Sequence, residues 1–118
     1  MAEHPSIVFI FRRSPYSSTM AQEGLDALLA TAAFEQDPTV IFMHEGIWQL
    51  YPQGESQYHK NYGKMLQALP LYGVEKIYVH EPSLRARVHP GSLVIPHQLI
   101  NDEQLAATIK AATTLLSF

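Results

Sequence analysis

Ile7-Val8-Phe9-Ile10-Phe11 is an unbroken run of branched and aromatic residues, closed by Arg12, Arg13 and a polar stretch that continues to Ser18. Five apolar residues without alternation read as a strand covered on both faces, because a strand with one wet face would carry a polar residue at every second position. Beyond it the period changes. Leu25, Leu28, Leu29 and Ala32 recur at helical spacing, and Thr19 with Gln22 fits a capping box, which predicts a helix opening near Thr19. Residues 40–43 form a second short apolar run that ends in His44, Glu45 and Gly46. Tyr58, Tyr62, Met65, Leu66 and Leu69 mark one face of another helix, stopped by Pro70. Residues 77–79 give a third run, ending at His80, and residues 93–95 a fourth, ending at Pro96 and His97; residues 83–87 between them make one helical turn. Asn101 with Gln104 caps a last helix that has Leu105, Ile109, Ala112 and Leu116 on one side, with residues 115–118 as an alternative fifth strand.

Strands apolar on both faces that alternate with amphipathic helices specify an α/β fold. The expected architecture is a three-layer sandwich, a mostly parallel sheet of four or five strands flanked by helices. A length of 118 residues suits one domain spanning 1–118, and no repeat or linker divides it.

Composition then removes whole classes of chemistry. There is no cysteine, so disulfides, thiolate nucleophiles, persulfide carriage and sulfur-ligated zinc all require another chain. A formal net charge of -3 supplies no field toward polyphosphate, which disfavours direct nucleic-acid binding. The run at 7–11 is far shorter than the roughly 20 apolar residues of a membrane span. Its flanks, Glu3 before and Arg12 and Arg13 after, are the reverse of a secretory signal, so the expected location is cytoplasmic.

Ligand crevices of parallel sheets lie beyond the carboxyl ends of the strands. On this reading Arg12, Arg13, His44, Glu45, His80, Glu81 and His97 follow the four runs. Three histidines there either converge on a metal or proton-transfer site or are separate polar caps; the local spacings that fix two metal ligands are absent, and no metal or other cofactor is assigned. Arg12, Arg13, Ser17 and Ser18 surround a helix start and compose the best anion loop of the chain, although it lacks the glycines of a phosphate loop. Ser14, Ser17 and Ser18 lie outside any nucleophile elbow. Asp102 and Glu103 suit the first turn of a helix and need no catalytic role.

Ile47-Trp48-Gln49-Leu50-Tyr51 places four large apolar residues directly after a strand and a glycine turn. That many apolar directions exceed what one small core covers, so Ile47, Trp48, Leu50 and Tyr51 are read as a subunit interface, which Tyr16, Tyr58, Tyr62 and Tyr72 could extend.

Glu23-Gly24-Leu25-Asp26-Ala27-Leu28-Leu29-Ala30-Thr31, Gly46-Ile47-Trp48-Gln49-Leu50, Leu71-Tyr72-Gly73-Val74-Glu75 and Ser83-Leu84-Arg85-Ala86-Arg87 together resemble the TusC/DsrF branch of the DsrE/DsrF/DsrH sulfur-relay family. The resemblance implies a heterohexamer with TusB/DsrH-like and TusD/DsrE-like sister subunits, each present twice. It further implies a complex that takes persulfide sulfur from a small carrier protein toward 2-thiolation of the tRNA wobble uridine; related complexes serve sulfur oxidation. The sulfur-carrying cysteine belongs to the TusD/DsrE-like sister, after its third strand. The matching residues here, 79–82, hold no thiol, so the resemblance implies a non-catalytic partner. The competing reading is a stand-alone binder or enzyme that uses His44, His80 and His97 with Arg12 and Arg13.

Overall fold

The computed structural model describes residues 6–14, 19–34, 36–51, 62–87 and 92–118. Ile7–Phe11 is strand β1. It is followed by helix α1 (Met20–Ala33), strand β2 (Thr39–Phe42) and a seven-residue 3₁₀ helix, His44–Leu50. Helix α2 (Tyr62–Gln67) and a 3₁₀ turn, Leu69–Tyr72, lead to strand β3 (Lys76–His80). Helix α3 (Glu81–Arg85), strand β4 (Gln98–Ile100), helix α4 (Asp102–Ala111) and strand β5 (Thr114–Ser117) complete the described elements.

The five strands form one sheet in the order β4-β3-β2-β1-β5, and every neighbouring pair is parallel. This is the α/β sandwich that the apolar runs require. From β1 to β4 each strand is laid beside the last in one direction, so right-handed crossovers put α1, the 3₁₀ helix and residues 93–95 on one face. The step from β4 to β5 jumps back across the sheet, and the same handedness sends α4 over the other face. Phe9, Phe11, Val40, Phe42, Ile77 and Val79 point to the first face against Leu25 and Leu28 of α1. Val8, Ile10 and Ile41 point to the second, where Leu105 and Ile109 of α4 cover them. Burial of a leucine such as Leu25 or Leu28, both fully enclosed, contributes about 1.5–3 kcal/mol. α1 approaches β1 closely because Gly24 has no side chain: an added Cβ would lie 2.7 Å from the Phe11 ring and 2.6 Å from that of Phe118.

Local chemistry departs from the sequence expectation in three places. Thr19 already has helical backbone angles and makes no cap; its hydroxyl reaches Glu23 at 3.5 Å, and Gln22 turns to Asp26 instead. The fourth apolar run is not a strand. Val94 hangs from the Leu50 carbonyl by its amide at 2.8 Å and Ile95 is buried in the core, while the strand is the edge segment β4 three residues later. The last helix ends at Ala111, so Leu116 belongs to β5, which realises the alternative strand. The capping box of Asn101 and Gln104 is formed in both directions at 2.8 Å. Leu66 and Leu69 are buried as their spacing predicts, whereas Tyr58 lies outside the described residues. Among the described residues no helix is long and apolar enough to cross a membrane.

Candidate functional site

The carboxyl ends of β2, β3 and β4 meet in a chain of polar contacts. β3 delivers His80, and the α3 turn that starts immediately after it brings Ser83 back, so that Ser83 Oγ lies 2.6 Å from His80 Nδ1. β4 neighbours β3 and delivers the first residue of α4, and His80 Nε2 lies 2.7 Å from Asp102 Oδ1. The amide of His44, the first residue after Met43, donates to Ser83 Oγ at 2.9 Å. A carboxylate only accepts, so Nε2 carries the hydrogen toward Asp102, and Ser83 Oγ accepts from the His44 amide while sharing a hydrogen bond with Nδ1. His80 and Ser83 are buried and Asp102 is exposed. The chain of contacts runs from His44 through Ser83 and His80 to Asp102, joining three strand ends.

Beside it, Arg87 donates to the Ser83 carbonyl at 3.0 Å and to Glu45 Oε1 at 2.9 Å, and its Nε is buried without a partner. Trp48 Nε1 donates to the other Glu45 oxygen at 2.8 Å. The Arg87 hydrogen bond holds the Glu45 carboxyl below its ordinary value of 4.5; slight burial opposes this and the Trp48 bond adds to it. Glu45 is exposed, so water and salt screen the pair.

The residues named from the sequence divide into three groups. His44 and His80 reach this edge, though the histidine at 44 contributes its backbone and its side chain is exposed. His97 does not reach it. Because the strand is β4, His97 precedes it and sits at the opposite edge of the sheet with Glu75, Lys76 and Tyr78, its Nδ1 2.9 Å from the Ile95 carbonyl. The three histidines cannot share a ligand. Among the described residues no group of three His, Asp or Glu side chains is placed to hold a metal ion. Arg12 is exposed, Arg13 is half-buried with its carbonyl accepting from Gln49 at 2.8 Å, and Ser17 and Ser18 lie outside the described residues.

The segment 47–51 corrects the expectation of surplus apolar surface. Ile47 and Leu50 are fully enclosed and Tyr51 nearly so, within this chain's own core, and Trp48 alone of the four is half-exposed. A 3₁₀ helix repeats every three residues, so 47 and 50 fall on the same inward side. Two functional features escaped the sequence reading. Ser83 and Asp102 are separated by a strand and both reach His80, Ser83 through the α3 turn and Asp102 through the β3–β4 pairing. Leu71, 88% exposed, stands out on the 3₁₀ turn beside Tyr72, which the sequence already offers as an extension of the interface; that an apolar residue there follows Pro70 was the available signal.

The five-stranded parallel fold is shared with a known protein structure. Residues 5–118 match the model of the DsrE/DsrF-like family, and this chain belongs to that family. It is 37% identical over 115 residues to a "Protein TusC homolog" of Vibrio parahaemolyticus, covering 95% of this chain and 98% of that protein. A "Protein TusC homolog" of Vibrio vulnificus is 33% identical over the same share of both chains. The crystal structure of the ychN protein from E. coli superimposes with a TM-score of 0.76 at 18% identity, over 97% of this chain and 99% of that one, which establishes the likeness of fold.

Proposed function

We propose that this chain is a non-catalytic subunit of a sulfurtransferase relay complex that passes persulfide sulfur toward 2-thiolation of the tRNA wobble uridine. The carrying observation is chemical. In a member of the DsrE/DsrF-like family, the carboxyl end of β3 holds His80 between Ser83 and Asp102, and the sequence has no cysteine to accept sulfur. The reactive thiol then belongs to a TusD/DsrE-like sister, with a TusB/DsrH-like sister completing a heterohexamer in the cytoplasm. The small persulfide carrier and the acceptor protein act through that complex, with no direct contact to nucleic acid and no membrane. The domain spans 1–118, and Trp48 with the exposed Leu71 and Tyr72 supplies contacts to the sisters. Ile47, Leu50 and Tyr51 support that surface from beneath. Any anion held by Arg12, Arg13, Ser17 and Ser18 is auxiliary.

Co-expression with both sisters should yield a single complex by size exclusion, and a chain that elutes apart from both would overturn the assignment. Trp48→Asp should weaken that complex while leaving the far-ultraviolet circular dichroism unchanged. Persulfide transfer by the isolated chain, given donor and acceptor alone, would contradict the non-catalytic role.

A further inference from the structure

We propose that β5 is a self-pairing edge through which two copies of this chain join their sheets antiparallel about a two-fold axis. The proposal rests on the fold alone, independently of sulfur chemistry. β5 bonds to β1 on one side only, and all four of its residues are exposed, Leu115 by 45% and Leu116 by 37%. An open edge is a template for another strand, and folded proteins usually blunt it with charge, proline or a covering element. Residues 111–118 contain no charged side chain and no proline, and among the described residues no element covers this edge.

The hydrogen-bond pattern names the occupant. The Thr114 amide bonds to the Ser6 carbonyl, the Phe118 amide to Ile10, and the Phe118 carbonyl accepts from Arg12, so the even-numbered residues of β5 face β1. By alternation Leu115 and Ser117 turn both amide and carbonyl outward. Only an extended strand satisfies such a row. A two-fold axis normal to the sheet keeps each residue on its own face, so one residue must lie opposite itself. With Leu116 opposite Leu116 of the second copy, Leu115 lies opposite Ser117, and outward groups meet outward groups in two reciprocal pairs of bonds. With Leu115 at the axis, Ser117 would meet Thr113, whose amide is already bonded to Ser6. The first register therefore wins, and it brings the two Leu116 side chains together on the face that carries Phe9 and Phe118.

The cysteine-free chain allows a direct test. Leu116→Cys would stand opposite its own copy at a non-hydrogen-bonded position, about 4.5 Å between Cα atoms, within the range a disulfide spans. Mild oxidation should yield a covalent dimer, and Ser117→Cys, opposite Leu115, should yield far less. Light scattering on the wild-type chain at micromolar concentration should report a dimer. Its Leu115 and Ser117 amides should become protected from hydrogen exchange as concentration rises, while the Phe118 amide is protected throughout. Ser117→Pro deletes an outward donor without touching the β1 ladder, and it should give a folded monomer. A wild-type chain that stays monomeric, or a dimer that Ser117→Pro and Leu116→Lys leave unchanged, would overturn the proposal. So would a Ser117→Pro chain that loses its sister subunits while the wild type shows no self-association, which would assign the edge to a sister.

Discussion

An alanine at position 46 would place its Cβ 1.9 Å from the carbonyl oxygen of Phe11, a backbone atom held in the sheet. Neither side can yield cheaply, so Gly46→Ala should lower unfolding free energy by about 3 kcal/mol or more, read from urea denaturation. Gly73 tells the opposite story. Nothing lies within 4 Å of a Cβ there, but the backbone has φ +84°, and Gly73→Ala should cost about 1 kcal/mol through conformation alone, with Gly73→Asn costing less. The pair separates steric from torsional need in one fold. At Ser83, removal of the hydroxyl strands the His44 amide and His80 Nδ1 together. Ser83→Ala should therefore destabilise by about 1–3 kcal/mol, more than a deletion of one exposed hydrogen bond. His44 itself sits at φ 50°, a costly angle for a side-chain-bearing residue, and its amide bond to Ser83 helps to hold it there.

Among the elements, α4 depends most on its ends. Its moderate apolar face buries Leu105 and half-buries Ile109, and the reciprocal Asn101–Gln104 cap fixes where it starts. Asn101→Ala should cost about 1 kcal/mol by thermal or chemical unfolding. The link between the α3 turn and the 3₁₀ helix is electrostatic. Because Glu45 has a lowered pKa in the folded chain, its contribution is present above pH 4.5 and fades as pH falls through the folded value. Screening keeps it near about 0.5 kcal/mol; the stability difference between wild type and Glu45→Gln should shrink toward zero in acid and in high salt. Elements with long apolar signals were readable in advance: β1, β2, β3, α1 and the capped start of α4 all follow from run length and spacing. β4 was not, because Leu93, Val94 and Ile95 look like a strand yet pack beneath Leu50, while Gln98-Leu99-Ile100 is an edge segment of mixed polarity. Apolarity reports burial, and only backbone pairing makes a strand.

For the molecule as a whole, the crossovers leave the two faces unequally dressed: three connections on one side, a single helix on the other. Native-state hydrogen exchange should find α4 and β5 opening at lower free energy than β1, β2 and β3, whose amides should require global unfolding. The same order explains what was legible of the site. His80 could be placed at a strand end from the sequence, but its partners Ser83 and Asp102 follow from a helix reversing at residue 81 and from β4 lying beside β3, which is tertiary information. Segment 47–51 was misjudged for a related reason: its inward turn depends on the close approach at Gly46, a backbone contact without a pattern of its own.

The diagonal course of α4 from one margin of the sheet to the other has a consequence for biosynthesis. A ribosome finishes β1 to β4, with all the helices of one side, before the strap that shields the reverse side has left the exit tunnel. Until α4 emerges, Val8, Ile10 and Ile41 face water, and the nascent polypeptide is at its most vulnerable to aggregation.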